Sequence, residues 1–185
     1  MALLNPVASR RLHRRLAPLL AAPLLVAAAT GVAGRVGRSW FGMPKALAKQ
    51  LFAIHAGGVL AEPLEPLYVL AMGLGLVGLL VTGAQLLPAL ARPRPPQGER
   101  LLHSRLALVA LVPLLLTAVS GVLFRLLETW TSLPVASFRW LMVLHQGGWL
   151  GPQLKPVYVL LVGLGLLGLL ATGVRMLAGR RRSTA

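Results

Sequence analysis

Cysteine is absent from this chain of 185 residues, and acidic residues are scarce, with only four Asp and Glu in total. The lack of cysteine excludes disulfides, cysteine-ligated iron–sulfur clusters, thiolate chemistry and thioether-attached haem. Charged residues make up 12% of the chain, against roughly 25% in an ordinary soluble domain. A water-soluble enzyme of this size would therefore expose long apolar stretches, which argues against that class.

Hydrophobic residues are abundant, at 56% of the sequence, and the mean hydropathy is +0.75. This content excludes a disordered chain. The 19 Lys and Arg residues give a net charge of +15, but they lie between apolar runs and are not interleaved with aromatic residues on one polar face. That distribution favours anionic lipid headgroups over nucleic acid as the partner. The composition therefore predicts an integral protein of the lipid bilayer.

An internal duplication organises the chain. A shift of 90 positions aligns residues 11–90 with residues 101–180 without a gap, and roughly 35 of the 80 pairs are identical. The sequence thus predicts two tandem units, residues 1–95 and 96–185, joined by a proline-rich linker. A unit with two spans returns to its starting side, so the two copies are predicted to be related by a pseudo-two-fold axis along the membrane normal.

Each unit contains two uncharged runs long enough to cross a bilayer, which takes about 20 residues. These runs are residues 16–34 and 67–90 in the first unit, and 106–124 and 157–173 in the second. The mixed segment between two spans, such as residues 46–60, predicts a short helix lying at the far interface or dipping into it. The predicted fold class is all-α integral membrane, with four transmembrane helices in two tandem pseudo-symmetric repeats and short outer interfacial helices.

Basic residues indicate the orientation of the chain. They are concentrated before the first span, in the linker and in the tail, and they are fewer on the opposite side. By the positive-inside rule, both termini are predicted to be cytoplasmic, in a bacterial-type inner membrane. The N-terminal pattern resembles a signal peptide, but it recurs internally at residues 101–121, so a retained helix is predicted.

The four histidines form two pairs under the 90-residue shift, His13 with His103 and His55 with His145. The predicted two-fold axis places the first pair near the cytoplasmic face and the second near the outer face. Two imidazoles that face each other at one depth suit haem b, which takes two axial ligands without a covalent tether. We therefore predict one or two haem b groups with these histidines as iron ligands. A four-histidine zinc site is disfavoured because the pairs lie on opposite faces, whereas simple solvation of the histidines remains an alternative.

Arginines next to the first histidine pair are candidates for binding the cofactor. Arg14, Arg15 and Arg105 are predicted to pair with haem propionates at the interface. The distance between the two histidine pairs is the open question. His13 and Gly34 are separated by about 32 Å along a helix, so the two sites are far apart unless the outer segment folds inward. A single haem is therefore kept as a variant of the prediction.

Glycines in the second span of each unit match the dinucleotide fingerprint G-x-G-x-x-G. They are Gly73, Gly75 and Gly78, and again Gly163, Gly165 and Gly168. They lie within an apolar run rather than at a strand-to-helix turn, and no acidic residue follows at the ribose position. The pattern therefore predicts close approach of neighbouring helices or of a flat macrocycle.

Three short motifs recur in both units. They are Arg11-Leu12-His13-Arg14 with a run ending Thr30-Gly31, His55-Ala56-Gly57-Gly58, and Val81-Thr82-Gly83; the second unit has Leu102-His103 with Ser120-Gly121, His145-Gln146-Gly147-Gly148, and Ala171-Thr172-Gly173. These motifs resemble those of the PepSY-associated transmembrane protein family, as two tandem copies of its two-span unit. The outer loops are too short to hold the soluble PepSY domain found in larger relatives.

The resemblance implies haem b, with the four histidines as axial ligands, and electron transfer that includes reduction of iron–siderophore complexes. By the same analogy, a quinol or a ferric complex is the redox partner. We therefore expect a membrane-embedded b-type cytochrome that carries electrons across the bilayer. The alternative is a non-catalytic or pigment-binding subunit of a larger membrane complex, which needs only lipid-facing and partner-facing surfaces.

Overall fold

The computed structural model describes residues 5–60, 64–88 and 97–182. The chain is 85% helical, and the described part contains no strand, which confirms the predicted all-α class. Within these ranges six α-helices follow one another, namely α1 (Pro6–Trp40), α2 (Lys45–His55), α3 (Leu64–Ala84), α4 (Glu99–Trp130), α5 (Val135–His145) and α6 (Lys155–Arg182).

Four of these helices, α1, α3, α4 and α6, are long and apolar enough to cross a membrane. In the most apolar window of each, only 11–22% of the residues are buried. Val109 and Val112 on α4, for example, are 78% and 71% exposed. Apolar surface of this extent is stable only in contact with lipid, so the four long helices indicate a membrane protein.

The spanning helices differ in length from the predicted uncharged runs. Helices α1 and α4 continue beyond them at both ends, because arginine and the other charged residues there are also good helix formers. Helix α1 begins at Pro6, where Asn5 Oδ1 accepts a hydrogen bond from the Val7 N–H at 2.9 Å. Helix α3 ends at Ala84, before the predicted residue 90. The predicted unit boundary at residues 95 and 96 falls at the edge of a segment outside the described residues, and the pseudo-symmetry of the units stays a prediction.

The four long helices form a ring. Helices α1 and α4 each pack against both α3 and α6, so α1 and α4 occupy opposite corners of the bundle. One buried apolar cluster consists of Leu80, Ala110 and Leu114, surrounded by leucines and a valine of α3, α4 and α6. Polar side chains are also buried within the long helices, among them Thr82 and Thr172, and at this depth they call for a specific explanation.

Glycines of α3 and α6 lie where the long helices approach each other most closely. A Cβ atom at Gly73 would overlap Val122 on α4, and one at Gly163 would overlap Val32 on α1. These two glycines of the fingerprint-like pattern therefore allow helix packing.

The two short helices fold back into the bundle. Helix α2 packs against α1, and α5 packs against α4. Each is followed by a glycine in the left-handed region, Gly57 at φ 77° and Gly147 at φ 67°, which lets the chain turn after the helix. The His55 ring at the end of α2 reaches Ala27 of α1, about 20 Å before the end of that helix. Of the two predicted arrangements, the short helices therefore adopt the one that dips inward.

Candidate functional site

The two short helices bring one pair of histidines together inside the half of the bundle farther from the start of α1 and the end of α6. His55 ends α2 and His145 ends α5, and their ring centroids lie 6.1 Å apart at an interplanar angle of 59°. We call this the outer pair.

The other two histidines meet near the opposite end of the bundle. His13 on α1 and His103 on α4 have ring centroids 6.3 Å apart and planes at 84°. We call this the inner pair. Because α1 and α4 occupy opposite corners, the line between these rings crosses the middle of the bundle, and the helices that flank it are the glycine-rich α3 and α6.

The spacing of both pairs equals that of two imidazoles on one metal ion. With imidazole–metal bonds of about 2.0 Å, the centroids of two opposed rings lie about 6.2 Å apart. Direct contact between aromatic rings covers the wider range of about 4.5–7 Å. The spacing alone is therefore compatible with both arrangements.

In the outer pair, the Nδ1 atom of each histidine is held by a backbone carbonyl. His55 Nδ1 lies 2.7 Å from the Ala27 carbonyl oxygen, and His145 Nδ1 lies 2.8 Å from that of Thr117. A carbonyl oxygen only accepts, so each Nδ1 carries the hydrogen and donates it. The proton is then absent from Nε2 in the neutral ring, which leaves Nε2 as the nitrogen able to bind a metal.

The inner pair follows the same rule with threonine as the partner. Thr82 and Thr172 hydroxyls donate to the carbonyls of Gly78 and Gly168, at 2.6 and 2.8 Å. Their oxygens therefore accept from the Nδ1–H groups of the inner pair, His13 at 3.0 Å and His103 at 2.8 Å. All four histidines thus have the tautomer that metal-ligating histidines adopt when Nε2 is the ligand.

Glycine is required beside the outer pair. A Cβ atom at Gly31 would lie 2.9 Å from Nδ1 of His55, and one at Gly121 would lie 2.6 Å from Nδ1 of His145. Any larger residue would push the ring away from its carbonyl. At the inner pair the corresponding contacts are ordinary: a Cβ at Gly83 would lie 3.5 Å from His13 Cε1.

A cavity of about 390 Å³ surrounds the outer pair. Its size falls in the range of small-molecule and cofactor sites, about 300–1,000 Å³. The lining is mostly apolar and includes Leu24 and Leu114, which are 4% and 2% exposed. Polar groups are few, and two of them, Arg35 and Arg125, are arginines. We call this space the outer cavity.

The two arginines of the outer cavity have different partners. Arg125 forms ion pairs with Glu65 at 2.5 Å and with Glu128 at 2.7 Å. Arg35 instead donates from Nη2 to Oε1 of Gln146 at 2.5 Å.

The arginines predicted to bind propionates lie on the surface near the inner pair. Arg14 and Arg15 are exposed and line a cleft with Arg10, Arg11, Val7 and Leu177. Arg105 is exposed on α4, directly before the uncharged run that begins at residue 106. The histidines of the inner pair do not line that cleft, so the predicted contact between these arginines and a propionate stays a prediction.

The positions of the two pairs along α1 and α4 give the distance between the inner pair and the outer pair. His13 precedes Ala27, the residue that holds His55, by 14 positions on α1, or about 21 Å. The same 14 positions separate His103 from Thr117 on α4. The pairs are therefore closer than the 32 Å of a straight helix, because α2 and α5 fold inward. Among the described residues, no cluster of three or more His, Cys, Asp or Glu side chains could hold a metal ion, so the histidines form two separate pairs.

Several residues of the site were missed by sequence reasoning. Thr82 and Thr172 stand before glycine in motifs that both units share, and their separation from His13 and His103 is 69 positions in each case. That equal spacing is a signal the repeat offers. The contact between Arg35 and Gln146 has no such signal, since position 56 in the first unit is alanine.

The chain was compared with known protein families, curated proteins and solved structures. No family model, no curated protein and no solved structure matches the chain.

Proposed function

We propose that this protein is a b-type cytochrome of the membrane, with one haem b at the inner pair and one at the outer pair. The observation that carries the proposal is the combination of ring spacing and tautomer. Both pairs have the centroid separation of a bis-imidazole iron site, and every Nδ1 is occupied by a partner of its own, which reserves every Nε2 for a metal.

The surroundings of the pairs support the same cofactor. Haem b is a flat, largely apolar macrocycle, and the outer cavity is apolar with few polar groups. Because Gly31 and Gly121 have no Cβ atom, the rings of His55 and His145 can lie directly against the backbone of α1 and α4. A cysteine-free chain has no thioether attachment, which fits noncovalent haem b among the haem types.

Bound haem b would supply reversible one-electron chemistry on both halves of the bilayer. The protein's part is to hold each iron by two neutral imidazoles, to fix their tautomers and to exclude water with an apolar core. Leu24 and Leu114 lie between the levels of the two pairs and keep that region dry. We propose that electrons cross the membrane through the two sites in sequence.

The wider assignment follows from the motifs and charges. We propose that the chain is a relative of the PepSY-associated transmembrane proteins, built as two pseudo-symmetric two-span units. With four spans, both termini lie on one side, and the basic residues assign that side to the cytoplasm of a bacterial-type inner membrane. A quinol or a ferric complex is the proposed redox partner, and assembly into a larger membrane complex is compatible with the exposed apolar surface.

Paired alanine substitutions test the haem assignment. The protein is purified in detergent from cells supplied with a haem precursor, and reduced-minus-oxidised spectra and low-temperature EPR are recorded. His55→Ala and His145→Ala should each remove the same low-spin component, while His13→Ala and His103→Ala remove the other. Trp140→Ala is the control on α5, because its side chain is 58% exposed.

Rescue of a variant by added imidazole is a second measurement, and it distinguishes loss of an iron ligand from misfolding, because a misfolded variant would not recover its spectrum. Imidazole should enter the space left in His55→Ala and restore the low-spin spectrum. A wild-type protein without a Soret band would overturn the proposal and favour the non-catalytic subunit. Loss of different components within a pair would refute the pairing.

A further inference from the structure

The two arginines of the outer cavity are equivalent in sequence but differ in their charged partners. Arg35 and Arg125 are 90 positions apart, and Arg125 is neutralised by Glu65 and Glu128. The positions that correspond to these carboxylates on the Arg35 side are Lys155 and Arg38. The positions that hold the two carboxylate partners of Arg125 therefore hold cations in the other unit, and Arg38 donates to the Met43 carbonyl at the exposed end of α1.

Arg35 is held in place by neutral groups. Its Nη2 donates to Gln146 at 2.5 Å, and its guanidinium carbon lies 5.8 Å from the centre of the Phe52 ring. Lys155, at the start of α6, is a further half-buried cation. Each glutamate in the described part of the chain is paired elsewhere: Glu65 and Glu128 with Arg125, and Glu99 with Arg175.

A partly buried guanidinium whose observed partners are a neutral amide and an aromatic ring is unfavourable without an anion. The guanidinium fork suits a carboxylate in particular, because two parallel N–H groups match its two oxygens. Gln146 adds an amide that can donate from its nitrogen while its oxygen holds Arg35. The arrangement therefore has the charge and the donors of a carboxylate site.

We propose that Arg35 and Gln146 form a carboxylate-binding site in the wall of the outer cavity. Arg35 lies one helical turn, about 6 Å, beyond Gly31, the residue that contacts His55. The carboxylate belongs either to a propionate of haem bound at the outer pair, in which case the inference rests on the proposed function, or to an external ferric carboxylate complex that takes the electron. Either source uses the same recognition chemistry.

Haem exchange with a modified porphyrin separates these sources. Wild type and Arg35→Gln are reconstituted with haem or with haem dimethyl ester, whose propionates have no charge, and haem loss to apomyoglobin is followed by absorbance. If a propionate binds here, Arg35→Gln should release haem about 10- to 100-fold faster, the effect of one lost charge-assisted hydrogen bond. The dimethyl ester should be released equally from both proteins.

Three further variants serve as controls for this comparison of haem release with ester release. Arg125→Gln makes the same change on the neutralised side, so it should leave the ratio between haem and ester release unchanged. Arg35→Lys keeps the charge and should recover part of the haem retention. Glu62→Gln removes the carboxylate that lies outside the described residues, and it should also leave the ratio unchanged. A Glu62→Gln ratio equal to that of Arg35→Gln would overturn the proposal, since Glu62 would then be the partner of Arg35.

Ferric citrate probes the external source. The reduced protein is mixed with ferric citrate in a stopped-flow instrument, and its reoxidation is measured. A rise of about tenfold in the half-saturating concentration for Arg35→Gln, with equal release of both porphyrins, assigns the site to the external carboxylate. If neither porphyrin release nor ferric citrate saturation depends on Arg35, the carboxylate site is refuted.

The failure of the proposed function is distinguishable from this result. A colourless protein without a Soret band refutes the cytochrome alone. The carboxylate site is then measured directly by calorimetric titration of the haem-free protein with citrate. Binding that is lost in Arg35→Gln and kept in Arg125→Gln supports the site, and equal binding in all three proteins contradicts it.

Discussion

Replacing Gly121 with alanine tests how closely the outer pair is fitted to a metal. A Cβ atom at this position would lie 2.6 Å from Nδ1 and 2.7 Å from Cε1 of His145. Both contacts are short of the 3.4 Å at which van der Waals contact becomes ordinary, so the ring must move by about 0.8 Å. The atoms it would meet belong to a buried ring held by a hydrogen bond, so the displacement cannot be absorbed by a flexible side-chain end.

A displacement of the His145 ring by this distance is incompatible with two histidines binding one iron at the outer pair. If the ring moves towards His55, the centroid separation falls well below the roughly 6.2 Å that an iron with two imidazoles requires. If it moves sideways, the 2.8 Å hydrogen bond to Thr117 is lost, and loss of such a partner typically costs about 10- to 100-fold in metal affinity. Gly121→Ala should therefore lower haem affinity at the outer pair by at least about tenfold, and Gly31→Ala should do so more mildly.

The assay is haem content by pyridine haemochrome, combined with a redox titration that resolves the two components. Gly83→Ala is the matched control, because its Cβ would lie 3.5 Å from the His13 ring, an ordinary contact. Alanine raises helix stability by about 0.5–1 kcal/mol relative to glycine, so general unfolding does not explain a selective loss in Gly121→Ala. Full retention of both components in Gly121→Ala would refute the reasoning.

Three other predictions concern the neighbours of the pairs and the orientation of the chain. Thr172→Val should weaken haem binding at the inner pair by about tenfold, because its hydroxyl accepts from His103 Nδ1 at 2.8 Å; haem dissociation kinetics decide, and retention equal to that of wild type contradicts it. Glu65→Gln removes a negative charge near the outer cavity and should raise the midpoint potential of one component only, as measured by redox titration; a fall in potential contradicts the sign. Leu133→Cys should react with a membrane-impermeant maleimide in intact cells, whereas Arg14→Cys should react only after permeabilisation; the reverse pattern contradicts the proposed orientation.

The helices of this protein were largely predictable from the sequence. Long uncharged runs can satisfy their backbone in lipid only as helices, and the described part of the chain contains four such helices. Their ends were less predictable, because the arginine-rich segment before the first apolar run continues the helix of α1. The repeat also predicted which histidines belong together, since equivalent positions in two copies share a depth.

The details of the site required coordinates. The inward fold of α2 depends on Gly57 and on the fit of His55 against Gly31, two features that a local pattern does not connect. The charge difference between Arg35 and Arg125 arises from a residue on a distant helix, Glu65, and its equivalent Lys155. Long-range pairing of this kind has no local signal, so sequence reasoning considered Arg14, Arg15 and Arg105 for the cofactor, which stays a prediction, and did not consider Arg35.

The most direct test is the amount of haem bound per chain. Pyridine haemochrome analysis of the purified protein, referred to chain concentration from quantitative amino-acid analysis, should give two haem b per chain, both low-spin by EPR. One haem per chain would contradict the two-site arrangement, and none would contradict the assignment of the histidine pairs to iron altogether.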